Sequence, residues 1–298
     1  MAGTLFIVAT PIGNLEDITL RALRILGEVD LIACEDTRHT KKLLFHFQID
    51  KPTCSYHEHN EQRRTNWLLQ RLESGVDIAL VSDAGTPSIS DPGYRLVRTS
   101  IERGIRVSPV PGACSIIAAL SVSGRPTDSF VFLGFLPSKP KARRSVLEEI
   151  RRETRTVIFF ESPFRLTATL REIQEVLGPR QMTVAREMTK LHEELVTGTV
   201  PEVACFFRCH PPKGEAVLIV EKASSETPIP ESLRNKALGV RLEGFMGQGL
   251  SKKDALKRLA RELGCPKREL YLRLARETEV VKQEKIGQVK SSSLRTEN

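Results

Sequence analysis

The chain has 298 residues, too many for one small core and suited to about two domains. Hydrophobic residues make up 40% and charged residues 28%, the balance of a globular protein in water, and no run approaches the roughly 20 apolar residues of a membrane span. The net charge of +8 implies a polyanionic partner and says nothing of fold.

The opening MAGTLFIVATPIG moves directly into a strand, from which a cytoplasmic chain with no membrane partner is expected. Leu5 to Ala9 is read as that strand, followed by the turn 10–14 and a helix capped by Asp17 or Thr19. Leu20, Leu23 and Leu26 recur at helical spacing before Gly27, where the helix is expected to end. Asp30 to Cys34 reads as a second strand, leaving Glu35, Asp36, Thr37, Arg38, His39 and Thr40 as a polar loop at its carboxyl end. Ile78 to Val81 is a third strand. It stops in LVSDAGTPSISDPG, where Gly85, Pro87, Pro92 and Gly93 stiffen a loop crowded with Asp83, Thr86, Ser88, Ser90 and Asp91. Arg106 to Val110 is a short strand, and 109–115 opens an apolar helix, Ile116 to Val122.

Strands alternating with helices predict a mainly parallel sheet, in which ligands collect at the carboxyl ends of the strands. Residues 10–14, 35–40, 83–93 and 109–115 all fall there. SGRPT at 123–127 reads as a linker to a second α/β region with antiparallel pairs. Its expected strands are Phe130 to Phe135, Thr156 to Phe160, Met182 to Ala185, Leu195 to Val200 and Ala216 to Val220, and its helices Lys141 to Arg152 and Phe164 to Leu177. The expected division is 1–122, 128–223, a helical region at 235–280 and a disordered tail at 281–298.

SSETPIPES, from Ser224, reads as a linker. Beyond it Ser251 and Asp254 form a capping-box pattern, Leu256, Leu259, Ala260 and Leu263 an apolar stripe, and Gly264 a stop. Pro266 then begins a second helix, a pair resembling a helix-turn-helix. Between 251 and 276 nine Lys and Arg stand against three acids, so this segment is expected to bind nucleic acid through Lys252, Lys253, Lys257 and Arg268.

The cysteines at 34, 54, 114, 205, 209 and 265 are scattered, which predicts reduced thiols. CFFRCH at 205–210 lacks a second ligand pair, so no metal is expected. The fingerprints GxxxxGK[ST], GxGxxG after the first strand, HExxH and GxSxG are all absent. Small-residue loops without a phosphate anchor suit a neutral or zwitterionic adenosine-containing ligand, and S-adenosylmethionine is one.

ATPIGNLEDIT (9–19), CEDTRHTKKLL (34–44), LVSDAGTPSISDPG (80–93), VPGACSIIAAL (110–120), FFESPFR (159–165) and AREMTKLHEE (185–194) together resemble the tetrapyrrole-methylase class of S-adenosylmethionine-dependent methyltransferases. More narrowly they resemble its ribosomal RNA small-subunit methyltransferase I branch. The resemblance implies two α/β domains with the cofactor in the cleft between them, a homodimer, and methylation of a cytidine 2′-hydroxyl, cytidine 1402, in 16S rRNA or the assembled small subunit. It also implies cofactor contacts from Gly85, Thr86, Ser88 and Ile89, from Ser115, Ile116, Phe160, Met188 and Ala216, and from Pro11. Many members carry Gly-Asp-Pro where this chain has Gly85, Thr86 and Pro87. A role that needs a carboxylate at Thr86 is then expected to fall to Asp83.

Within that frame Glu187 or Lys190 is expected to assist deprotonation of the hydroxyl, while Arg38 and Arg186 hold RNA phosphate. A second reading is a methyltransferase of the same class acting on a tetrapyrrole, another small molecule or a protein side chain, for which the basic tail is needless. A third is a nucleic-acid-binding regulator without enzymatic activity, for which the paired domains are superfluous.

Overall fold

The computed structural model describes residues 2–211, 214–223, 242, 245–247 and 250–262. The chain forms two compact units, Met1–Ser224 and Ser225–Asn298. The first unit contains two five-stranded sheets.

In the first sheet the order is β3 (Thr53–Ser55), β2 (Leu31–Cys34), β4 (Ile78–Val81), β1 (Thr4–Val8) and β5 (Arg106–Val110). Every pair is parallel. The inner strands LIAC and IALV are buried at each position, as continuous apolar runs covered on both faces must be. One face packs Leu68, Leu69 and Leu72 of α3 (Glu61–Glu73), and the other Ala22, Ile25 and Leu26 of α1 (Leu20–Glu28).

The second sheet runs β6 (Phe130–Phe135), β7 (Thr156–Glu161), β10 (Ala216–Val220), β8 (Gln181–Arg186) and β9 (Glu194–Thr199). Only β6 and β7 pair in parallel; β10 is antiparallel to both β7 and β8, and β8 to β9. Because Ala216 lies opposite both Glu161 and Arg186, the ends of β7 and β8 and the start of β10 meet at one edge. The helix α5 (Ser115–Val122) follows the first sheet in sequence, yet Ile116, Ala119 and Leu120 pack with Ile158, Ala185, Val217 and Ile219 of the second. This helix carries the loop 109–115 to the second sheet.

The expected strands and mixed pairing appear, with local corrections. Thr37 to Thr40 are not loop: Asp36 caps α2 (Thr37–His46) by accepting the Arg38 N–H at 2.8 Å. Thr19 rather than Asp17 caps α1, which passes through Gly27 to Glu28. Val200 begins α8 (Val200–Cys209) instead of closing a strand, because Thr199 and Glu202 form a reciprocal capping box. The strand β3 and the helices α3 and α4 (Tyr94–Glu102) had no counterpart in the sequence reading. The remaining helices of this unit are α6 (Pro140–Glu149) and α7 (Pro163–Leu177).

Among the described residues no three His, Cys, Asp or Glu are grouped to hold a metal, and no helix is long and apolar enough to cross a membrane. Cys34, Cys54, Cys114, Cys205 and Cys209 are free thiols, and burial pushes Cys34 up to about 11.

The second unit contains α9 (Lys252–Glu262), where Ser251 Oγ accepts the Asp254 N–H at 3.2 Å. Ala255, Leu256 and Leu259 pack with Leu242, Phe245 and Leu250. Lys252, Lys253 and Lys257 are exposed on the opposite side. Arg268, the helix expected from Pro266 and the tail at 281–298 lie outside the described residues.

Candidate active site

The loop after β4 is held by the turn after β1. Thr10 and Gly85 exchange backbone hydrogen bonds of 2.9 and 3.1 Å, and Thr10 Oγ1 donates to the Ser82 carbonyl at 3.1 Å. Gly85 has φ +86, a left-handed backbone that favours glycine, and a Cβ there would also press on Ile12 Cγ2 at 3.3 Å. Ser88 and Ser90 also adopt left-handed backbone, φ 71 and 62, a cost that persists only where the surroundings over-determine the loop. Thr86 Oγ1 donates to the Ala113 carbonyl at 3.3 Å, tying the loop to the entrance of α5.

A cavity of about 290 Å³ opens here between the carboxyl ends of the first sheet and the convergent edge of the second. Asp83, Gly85, Thr86, Ile89, Ser115, Ile116, Phe160, Met188 and Ala216 line it, as do the two candidate catalytic residues, Glu187 and Lys190. Pro11 and Ser88 do not. Ser88 Oγ turns back into its own loop and occupies the space where a side chain on Gly93 would start.

Arg186 and Arg38 are also outside the lining. The Arg186 guanidinium binds Glu194 at 2.8 and 3.0 Å, and Arg38, well exposed, binds Asp36 at 2.7 Å. The Arg38 pairing holds the Asp36 carboxyl well below the usual carboxylate range. A phosphate contact by either arginine would compete with its own carboxylate.

The turn after β8 is strained. Glu187 and Thr189 have φ 49 and 64, and Lys190 Nζ sits 3.1 Å from Glu187 Oε1. Asn14 N–H donates to Thr189 Oγ1 at 3.1 Å, so the 10–14 turn of the first sheet braces this turn of the second. On the same edge Glu161 is buried. It accepts from Ser162 N–H at 2.8 Å, Thr169 Oγ1 at 2.6 Å and Arg165 Nη2 at 2.6 Å.

Ile12, Glu35, Ser90, Asp91, Phe135, Glu161, Glu215 and Val217 also line it, although sequence did not single them out as ligand contacts. Their signal was position at strand ends, which does not reveal where a side chain points. Among the described residues the lining holds six carboxylates, from Glu35, Asp83, Asp91, Glu161, Glu187 and Glu215, and one amine, Lys190. Burial, and then the charge of Glu35, pushes Asp91 up to about 6; burial and Asp83 raise Glu35 as well.

A raised carboxyl favours the folded state fully below its unfolded value and loses that advantage as pH climbs to the folded value. Asp91→Asn is therefore expected to melt with wild type near pH 3.8 and above it once pH exceeds about 6. Thermal unfolding across that window checks this; a constant difference at all pH values would refute it.

The family described as Tetrapyrrole (Corrin/Porphyrin) Methylases matches residues 4–204. The chain is 50% identical over 270 residues to the ribosomal RNA small subunit methyltransferase I of Synechocystis sp., covering 90% of this chain and 96% of that one. It is 49% identical over 271 residues to the protein of the same name from Halalkalibacterium halodurans, covering 90% and 93%. Among solved structures, uroporphyrin-III C-methyltransferase from Thermus thermophilus, complexed with S-adenosylhomocysteine, shares the fold at TM-score 0.53 and 20% identity, with 74% and 97% covered. This chain belongs to the tetrapyrrole methylase family, in its ribosomal RNA small subunit methyltransferase I branch.

Proposed function

We propose that this chain is an S-adenosylmethionine-dependent ribosomal RNA methyltransferase acting on the ribose 2′-hydroxyl of a cytidine in 16S rRNA, cytidine 1402 by resemblance. The observation that carries it is the cavity wall. Ile89, Ile116, Phe160 and Met188 offer an apolar surface for an adenine, while the carboxylates around Asp83 and Asp91 suit a ligand bearing sulfonium and ammonium charges. A phosphate-bearing cofactor would meet repulsion from the same groups. Asp83, Gly85, Thr86, Ile89, Ser115, Ile116, Phe160, Met188 and Ala216 would hold S-adenosylmethionine, which supplies an electrophilic methyl group when bound. The names of the relatives support methylation of small-subunit ribosomal RNA.

The protein's own work is to hold the ribose and accept its proton. Glu187, fixed by backbone strain and by Lys190, presents a carboxylate at the cavity edge for a hydroxyl proton, and Lys190 keeps that carboxylate in place. Pro11 and Ser88 serve this site by shaping its loops. Arg38 and Arg186 take RNA phosphate only by sharing it with Asp36 and Glu194. Lys252, Lys253 and Lys257 of α9, with Arg268, dock rRNA or the small subunit. The working form is a cytoplasmic homodimer whose chain divides at 1–122, 128–223 and 235–280.

Isolated small ribosomal subunits incubated with radiolabelled methyl donor should acquire one labelled cytidine, located by primer extension and nucleoside chromatography. Label on a base, or none in RNA, would refute the reading. Truncation near residue 225 should weaken salt-sensitive RNA binding and leave cofactor binding intact.

A further inference from the structure

A second cavity, of about 330 Å³, adjoins the first. Ser90 and Asp91 line both, so the two spaces share one wall. The loop reaches this wall through left-handed Ser90 and through Gly93 at φ +146. The facing side is the turn between β3 and α3, where Asn60 is the organiser. Its Oδ1 accepts from His57 N–H at 3.0 Å, and its Nδ2 donates to the Ser55 carbonyl at 3.3 Å. Glu61, held by the Tyr56 hydroxyl at 3.1 Å and 3.9 Å from Arg95, lines the cavity with Glu58, Tyr94 and Arg95 itself. Glu58 is exposed and makes no hydrogen bond or ion pair among the described residues.

We propose that this second cavity receives the nucleobase of the nucleotide being methylated, and that Glu58 and Glu61 accept hydrogen bonds from its exocyclic amine, selecting cytosine over uracil. The proposal rests on the 2′-hydroxyl reading above. In a nucleoside the base and the 2′-hydroxyl stand on neighbouring sugar carbons, so a ribose at the first cavity delivers its base to the space across the shared wall. Ionised carboxylates only accept hydrogen bonds. Cytosine offers an amine donor where uracil offers a carbonyl acceptor, so the same pair of glutamates attracts one and repels the other. With Asp91 they outnumber the lining cation Arg95, so the cavity disfavours phosphate while a single neutral, unstacked base enters. Tyr94, two-thirds exposed at the cavity edge, supplies a ring face on which that base stacks.

The test compares methyl transfer to small subunits carrying cytidine or uridine at the modified position, for wild type, Glu58→Gln and Glu61→Gln, with cofactor affinity measured by calorimetry. Wild type should prefer cytidine, and each variant should reduce the cytidine-to-uridine ratio of kcat/KM by about tenfold, the size of one base-edge contact, with cofactor affinity unchanged. An unchanged ratio with transfer intact overturns the proposal. Weakened cofactor binding with an unchanged ratio assigns the cavity to the cofactor and overturns it equally. Failure of wild type to label RNA at all removes the 2′-hydroxyl reading itself, and the subsite with it. Should Glu61→Gln misfold through loss of its Tyr56 bond, exposed Glu58→Gln still decides the question.

Discussion

Gly214→Ala is expected to lower single-turnover methyl transfer by at least about a hundredfold, the lower range for loss of a positioned acid–base group. A Cβ on Gly214 would lie 1.7 Å from Glu187 Oε1 and 2.8 Å from Glu187 Cγ, and Gly214 has φ +71. The substitution therefore strains its own backbone and drives the whole Glu187 side chain away from Lys190. Because the damage passes through Glu187, Glu187→Ala should lose a similar amount, and the double variant should be little worse than either single one. Cofactor affinity, measured by calorimetry, separates displaced chemistry from a ruined cavity. Turnover near wild type in Gly214→Ala would remove Glu187 from the proposed mechanism.

Glu161→Ala is expected to destabilise the protein by about 3 kcal/mol or more, the cost of breaking a buried pair by removing one partner. The carboxylate side chain is fully buried, and its loss strands the Ser162 amide, the Thr169 hydroxyl and the Arg165 guanidinium together. Arg165 also donates to the Leu136 carbonyl at 3.3 Å, so it clips the end of β6 to the end of β7. Across that clip Phe135 and Phe160 pack with ring centroids 5.3 Å apart and form part of the cavity wall. Weakened cofactor binding should accompany the stability loss, while Glu161→Gln, which retains acceptor geometry without the charge, should recover part of both. Denaturant unfolding with and without cofactor measures the two effects. An unaltered midpoint for Glu161→Ala would show that Arg165 and Thr169 find other partners.

Strands made of continuous apolar runs were legible because burial on both faces leaves a plain mark; Ile78 to Val81 and Ala216 to Val220 are examples. The edge strand β3 is only three residues long, and about half the residues of the polar helices α3 and α4 face water, so all three leave weaker marks. At the site, sequence indicated the loops more reliably than the atoms. Asp83, Gly85 and Thr86 reach the cavity, whereas Ser88, in the same hydroxyl-rich run, points its Oγ back at Gly93. Glu35 and Glu215 come from distant segments, and only the parallel first sheet and the reversed β10 bring them together. Arg186 shows the converse: its charge was evident, but the hairpin register that places Glu194 opposite it was not.

The last strand of the first unit, β10, is also the middle strand of its sheet, buried at all five positions and hydrogen-bonded on both sides. A chain that stops before residue 216 therefore lacks the strand that pairs with both β7 and β8. Only with residues 216–220 paired to both neighbours is the sheet closed, with Glu215 and Ala216 at the cavity. Long-range pairing of this sort is slow and leaves open edges prone to self-association. Nascent chains stalled before residue 216 should have no cofactor site and a tendency to aggregate, so the enzyme becomes competent only after most of its length has been made.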